Sequence, residues 1–150
     1  MWGGALDAGT AKRDPSLGPL QIAAGGLLAI GDGSDVASVR ELARPMMALY
    51  IGGMGAKGRN FYNDLARRYG YEREASEIQD LYLSGKKDEA AARVPTELLE
   101  GSSLCGPRGY VAERVAAFRE AGVTHLQVTP VPTAGQTASQ LISTVKELAG

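Results

Sequence analysis

One cysteine, one histidine, one tryptophan and two phenylalanines are all that these 150 residues hold of those types. A lone Cys105 cannot form an intramolecular disulfide, which fits a reducing compartment. A lone His125 rules out His-rich metal sites and argues against a His-based catalytic dyad. Surplus positive charge is missing too: 16 Lys and Arg stand against 17 Asp and Glu, a net charge of −1. No basic field is available to hold nucleic acid or an anionic membrane. No apolar run approaches the ~20 residues that cross a bilayer. The N-terminal stretch MWGGALDAGTAKRDPSLG lacks the basic-then-apolar order of a secretory signal. These absences point to an ordinary soluble domain, cytoplasmic by default.

Glycine is what the chain has in excess, at 20 residues, about twice ordinary usage. Gly53, Gly55 and Gly58, within YIGGMGAKGRNFYNDLARRYGY, reproduce the spacing G-x-G-x-x-G. A dinucleotide site needs a strand before such a run, a helix after it, and an acid ~20 positions on at the end of a second strand. The helix is there, but ARPMMALYI before the run continues a helical period, and Glu74 and Glu77 fall inside a helical stretch. Gly58 also stands where a P-loop needs Ser or Thr after Lys57. The run reads as a turn between helices, with phosphate binding as the competing reading. Lys57, Arg59 and Asn60 open the next helix, where an anion is favoured. They are the candidate coenzyme-binding residues, and a solvated basic turn is their plainer explanation.

Elsewhere the periodicity alternates. WGGALDAGTAKRDP reads as the end of a helix with a turn at Asp14-Pro15, and Trp2 so near the start calls for a cover. GPLQIAAGGLLAIGDG is apolar on both faces, as a buried parallel strand is. Gly25-Gly26 within it imply a bend, a bulge or close approach of another backbone, and Ser34 or Asp35 offers an N-cap. From Val36 to Tyr50 apolar residues take helical spacing, with Pro45 expected to kink the helix. NFYNDLARRYG, EREASEIQDLYLSG and KKDEAAARV read as three further short helices. Pro107 opens a helix that Gly122 closes; VTHLQVTPV is a strand and TASQLISTVKELAG a last helix. The expected layout is strand 20–30, helical excursion 35–101, helix 107–121, strand 125–130 and helix 138–148. That is α/β grammar with parallel strands. Two strands are too few to cover this much helix, so the chain reads as a single partial domain of something larger.

Cys105 and His125 read as a small buried residue and a structural histidine. In (β/α) barrels the carboxyl ends of strands line the active site, so Ile30, Gly31, Thr129 and Pro130 are candidate walls of a substrate pocket.

Several of these segments together resemble one family: GPLQIAAGGLLAIG, ARPMMALYIGGMGAKGRNFYNDLARRYGY, IQDLYLSGKKDEAAARVPTELLE and LCGPRGYVAERVAAFREAGVTHLQVTPV. They look like the C-terminal part of luciferase-like monooxygenases, and within these like oxidoreductases that use the deazaflavin coenzyme F-420. The resemblance runs from Trp2 to Gly150 and is most specific over Arg44–Tyr71. It implies the C-terminal part of a (β/α)8 TIM barrel of the bacterial-luciferase type, with about two parallel strands (the seventh and eighth) and a long helical excursion that contains the glycine run. It implies hydride transfer to or from F-420, or alternatively FMN, acting on paired donors with a small-molecule substrate. The coenzyme of the family rests mainly on earlier strands, so the resemblance assigns no catalytic residue here and implies an incomplete, inactive portion. A homo-oligomer, or an N-terminal barrel segment, is then the expected partner. Two other readings compete: a self-associating interaction module without enzymatic activity, and a dinucleotide-binding domain.

Overall fold

The computed structural model describes residues 3–150; the cover expected over Trp2 lies outside the described residues. Helix α1 (Gly3–Thr10) buries no side chain. It gives way to a turn in which Asp14 accepts hydrogen bonds from the Ser16 amide and hydroxyl at 2.8 and 2.7 Å. Strand β1 (Ala23–Ile30) follows, three residues shorter at its start than the apolar run.

The helical excursion is built from short pieces: α2 (Ser34–Glu41), α3 (Arg44–Ala48), a π-helical turn (Leu49–Gly53), α4 (Phe61–Arg68), α5 (Glu72–Leu83), α6 (Lys87–Ala92) and α7 (Thr96–Gly101). Two expectations change here. Gly33, not Ser34 or Asp35, occupies the N-cap of α2, and no side chain caps that helix. Pro45 does not kink a long helix but lies in the first turn of α3, where its missing N–H has no helical partner to lose. The chain breaks at Leu42 and Ala43, so Leu42 and Met46 point outward, 62% and 55% exposed.

Strand β2 (Leu104–Gly106), helix α8 (Arg108–Glu120), strand β3 (His125–Pro130) and helix α9 (Ala138–Ala149) complete the described residues. Pro107 is the N-cap of α8 rather than its first residue. Gly122 ends that helix as expected, at φ 87°, with the Val123 amide donating back to the Phe118 carbonyl at 3.0 Å. Thr137 and Gln140 form a capping box on α9.

Three parallel strands pair where two were expected. The third is β2, whose three residues are too few to show a period. β1 lies in the middle, pairing with β3 from Ala23↔His125 to Leu28↔Pro130 and with β2 from Leu28↔Leu104 to Ile30↔Gly106. The two strands expected to be neighbours therefore are. Leu28 and Ile30 pack with Val111 and Val115 of α8 and Leu141 and Val145 of α9. Ala29 packs on the opposite face with Val36 and Val39 of α2 and with Cys105. Helices thus cover both faces and β1 stands between β2 and β3. The described residues form a mixed α/β unit with a small parallel sheet and do not by themselves close a barrel. A separate core, centred on Ile51, Ile78, Val94 and Leu99, holds the excursion together.

Close approach explains the glycine pair in β1. A Cβ on Gly25 would lie 1.9 Å from the Gln127 carbonyl oxygen of β3, and one on Gly26 would lie 2.1 Å from the Ser102 carbonyl oxygen before β2. Any side chain there would push the flanking strands away.

Candidate functional site

The glycine run Gly53–Gly58 leaves a π-helical turn and leads into α4. The context is helix to helix, as expected of a turn, with Glu74 and Glu77 on α5. The π-helical turn packs its glycines against α5: a Cβ on Gly52 or Gly53 would come within 2.5 and 2.4 Å of the Tyr82 side chain. Asn60 caps α4, its Oδ1 accepting from the Tyr62 and Asn63 amides at 3.0 and 3.2 Å. Its Nδ2 donates to the Tyr50 and Ile51 carbonyls, each at 3.0 Å. Asn63 donates to Ile51 and Ala75 carbonyls at 3.0 and 2.7 Å and accepts from Arg67 Nε at 2.8 Å. Asn60 is therefore a clamp on the π-helical turn, turned inward. Lys57 pairs with Asp80 across to α5, and Arg59 is exposed. The fold does not bring these three side chains together around one point.

The four candidate wall residues divide between two cavities. Gly31 joins a pocket of about 380 Å³ at the carboxyl ends of β1 and β2, with Arg40, Glu100, Gly106 and Tyr110. Thr129 joins a cleft of about 840 Å³ between the sheet and the excursion. Ile30 packs toward α8 and α9, its carbonyl accepting from Gln136 Nε2 at 2.7 Å. Pro130 is half-buried at the end of β3.

The smaller pocket is charged but internally balanced. Arg40 Nη1 meets Glu100 Oε1 at 2.7 Å, while Arg40 Nε is buried without a hydrogen-bond partner. The Tyr110 hydroxyl donates to the Glu100 carbonyl at 3.2 Å. Burial raises the Tyr110 phenol above its ordinary range, and burial likewise pushes the Cys105 thiol up. A thiol held protonated is a poor nucleophile, so Cys105 is packing, as expected. His125 does open β3 but lies exposed, its Nδ1 2.9 Å from Thr124 Oγ1.

The larger cleft is apolar. Met46, Met47, Leu65 and Leu98 line it, with Tyr50 and Tyr62 set edge to face at 4.6 Å between ring centroids. Gly25 and Gly26 expose sheet backbone at its base. Ser103, 1% exposed, is also among its lining residues, and its buried Oγ lies beside the Cys105 thiol, a weak acceptor. Sequence reasoning missed Ser103, Arg40 and the tyrosine wall. The apolar periodicity through Met46, Met47 and Tyr50 was the one signal, and it reads equally as core. Among the described residues no group of three His, Cys, Asp or Glu side chains is placed to hold a metal ion. No helix among them is long and apolar enough to cross a membrane.

A family model described as luciferase-like monooxygenase matches residues 1–125. A Mycobacterium tuberculosis protein whose name assigns it, provisionally, coenzyme F-420-dependent oxidoreductase activity is 43% identical over 86 residues. That match takes in 57% of this chain and 25% of the relative, so the chain spans about a quarter of the curated relative it matches. No solved structure matches the chain.

Proposed function

The chain belongs to the luciferase-like monooxygenase family, and on that premise we propose that it is part of an oxidoreductase moving hydride to or from coenzyme F-420, with FMN as the alternative. The observation that carries this reading is the 43% identity to the mycobacterial protein named for that coenzyme. Hydride chemistry is the coenzyme's own; the protein orients the ring, excludes water and shapes the substrate pocket. The 840 Å³ cleft offers apolar and aromatic contact to the flat ring of such a coenzyme, and no Lys, Arg, Asp or Glu lines it. It does not fit the anionic tail, and Arg40 nearby is engaged by Glu100. On this reading the chain supplies one wall of the pocket, with Thr129 in the cleft, while Gly31 lines the smaller neighbouring pocket. The tail and the reacting groups fall to the rest of a (β/α)8 barrel, in the cytoplasm. The chain's partner is that barrel segment or a further copy of itself.

The test is a titration of F-420 into this chain and into a fusion carrying the upstream length of the mycobacterial relative, followed by tyrosine fluorescence. The fusion binds and the 150 residues alone transfer no hydride. Appreciable turnover by the chain alone, or no binding by either, sinks the proposal.

A second reading, a self-associating module without enzymatic activity, draws on α1, which buries nothing, and on β3, which pairs through β1 alone among the described residues. A strictly monomeric, well-folded solution state counts against it.

A further inference from the structure

Asn60 is 2% exposed and no part of the cleft lining, yet its one amide holds three residues that do line it. Its Nδ2 donates to the Tyr50 and Ile51 carbonyls, each at 3.0 Å, and its Oδ1 accepts from the Tyr62 amide at 3.0 Å. Tyr50 and Tyr62 lie on separate elements, the π-helical turn and α4. Their rings meet edge to face at 4.6 Å between centroids and form the aromatic side of the cleft. The chain that joins the two elements is rich in glycine, with Gly58 at φ 72°, and glycine gives a backbone the most freedom. Lys57 ties that loop to Asp80 by an exposed ion pair, a contact worth little. The loop therefore does not hold the two rings in register; the buried amide does. π-Helical turns recur at functional sites, and this one carries Tyr50 into the cleft.

We propose that Asn60 is a positioning residue for the cleft: without touching what binds there, it locks Tyr50 and Tyr62 together as a rigid aromatic wall and so sets how tightly a ligand is held. The inference rests on the reading of the cleft as one wall of the substrate pocket, and not on which coenzyme the protein uses.

The test is a double-substitution cycle on the 150-residue chain, read with N-phenyl-1-naphthylamine, an uncharged fluorescent probe of apolar clefts. Asn60→Ser keeps an oxygen to cap α4, since serine caps a helix as well as asparagine does, but it supplies nothing in place of Nδ2 for the Tyr50 and Ile51 carbonyls. It should weaken probe binding about threefold, within the worth of one aromatic contact. Tyr50→Leu should weaken binding by about as much, because it removes the ring that Asn60 positions. With Tyr50→Leu in place, Asn60→Ser should weaken binding no further, since coupled positions do not add. Its cost in stability, a fall of about 4–8 °C in the melting midpoint from the two carbonyls left short, should appear in both backgrounds. A merely structural role moves the midpoint alone. Should Asn60→Ser not fold, Asn60→Asp takes its place at pH 8: it caps α4 equally well, and an ionised carboxylate can only accept. Binding unchanged by the substitution overturns the inference, as does a loss that persists undiminished in the Tyr50→Leu protein or a chain that does not bind the probe. The coenzyme reading fails separately, through a fusion that does not bind F-420.

Discussion

Polar side chains are buried in two regions of this protein, and the two regions treat them differently. Beneath the π-helical turn, Asn60 and Asn63 are 2% and 3% exposed, and both ends of both amides are engaged. Beside the cleft, Ser103 is as deeply buried and its hydroxyl has no ordinary partner. The asparagines replace hydrogen bonds that an irregular helix cannot make for itself, so their burial is offset within the fold. Ser103 rests against the Cys105 thiol, a weak acceptor. The comparison separates amides that hold the backbone from a hydroxyl set beside a weakly accepting sulfur.

The largest test of that contrast is Asn63→Leu. It leaves Arg67 Nε without its partner and the Ala75 and Ile51 carbonyls each with one donor fewer, and each unmet group costs about 1–3 kcal/mol. Urea denaturation should show a loss of about 4 kcal/mol, with Leu replacing a side chain of similar size; a loss below 1 kcal/mol would mean the amide is not a structural clamp. Gly26→Ala comes next. Its Cβ would fall 2.1 Å from the Ser102 carbonyl oxygen, and forcing β2 away from β1 should cost about 3 kcal/mol. Gly109→Ala on α8, where nothing lies within 4 Å of the added atom, is the contrasting control and should gain up to about 1 kcal/mol. Equal effects at the two glycines would break the close-approach account of β1.

Ser103→Ala carries the opposite sign to Asn63→Leu. It should stabilise the ligand-free protein by about 1 kcal/mol, measured in the same urea series. The smallest effect is at Glu41. The Arg44 guanidinium, donating at 2.9 Å, holds the Glu41 carboxylate below its ordinary value of 4.5. A depressed folded-state value stabilises the protein above pH 4.5, and that contribution is lost as pH falls through the lowered value. With Glu41 half-exposed, Glu41→Gln should cost about 0.4 kcal/mol at pH 7 and progressively less as pH falls below 4.5. A cost independent of pH would assign the effect to something other than the carboxylate.

Much of the fold could be read from local pattern. The helices of the excursion follow from helix-forming composition and turn glycines: Gly70 and Gly85 adopt positive φ between them. The glycine run was recognisable as a turn because no strand precedes it. Strand β2 was not readable, since Leu104, Cys105 and Gly106 are too short for a period and pair only because β1 lies beside them. The Pro45 expectation failed because the apolar spacing from Val36 to Tyr50 hides a break: two helices with outward-facing Leu42 and Met46 share one run of the period. Of the candidate site, Gly31 and Thr129 were visible as strand ends, but they line different cavities. Ser103 gave no signal, because a serine pair before a short strand looks like any loop.

By itself the amino-acid sequence determined the family, the parallel pair β1 and β3 and the helical nature of the excursion. Each depends on residue identity and short-range spacing, which the chain carries along its length. Tertiary structure decided which edge of β1 each neighbour takes, that Asn60 turns inward to clamp a π-helical turn, and that Ser103 is buried beside the Cys105 thiol. Those outcomes depend on the mutual approach of segments tens of residues apart, where a hydroxyl is paired or unpaired according to what else arrives beside it.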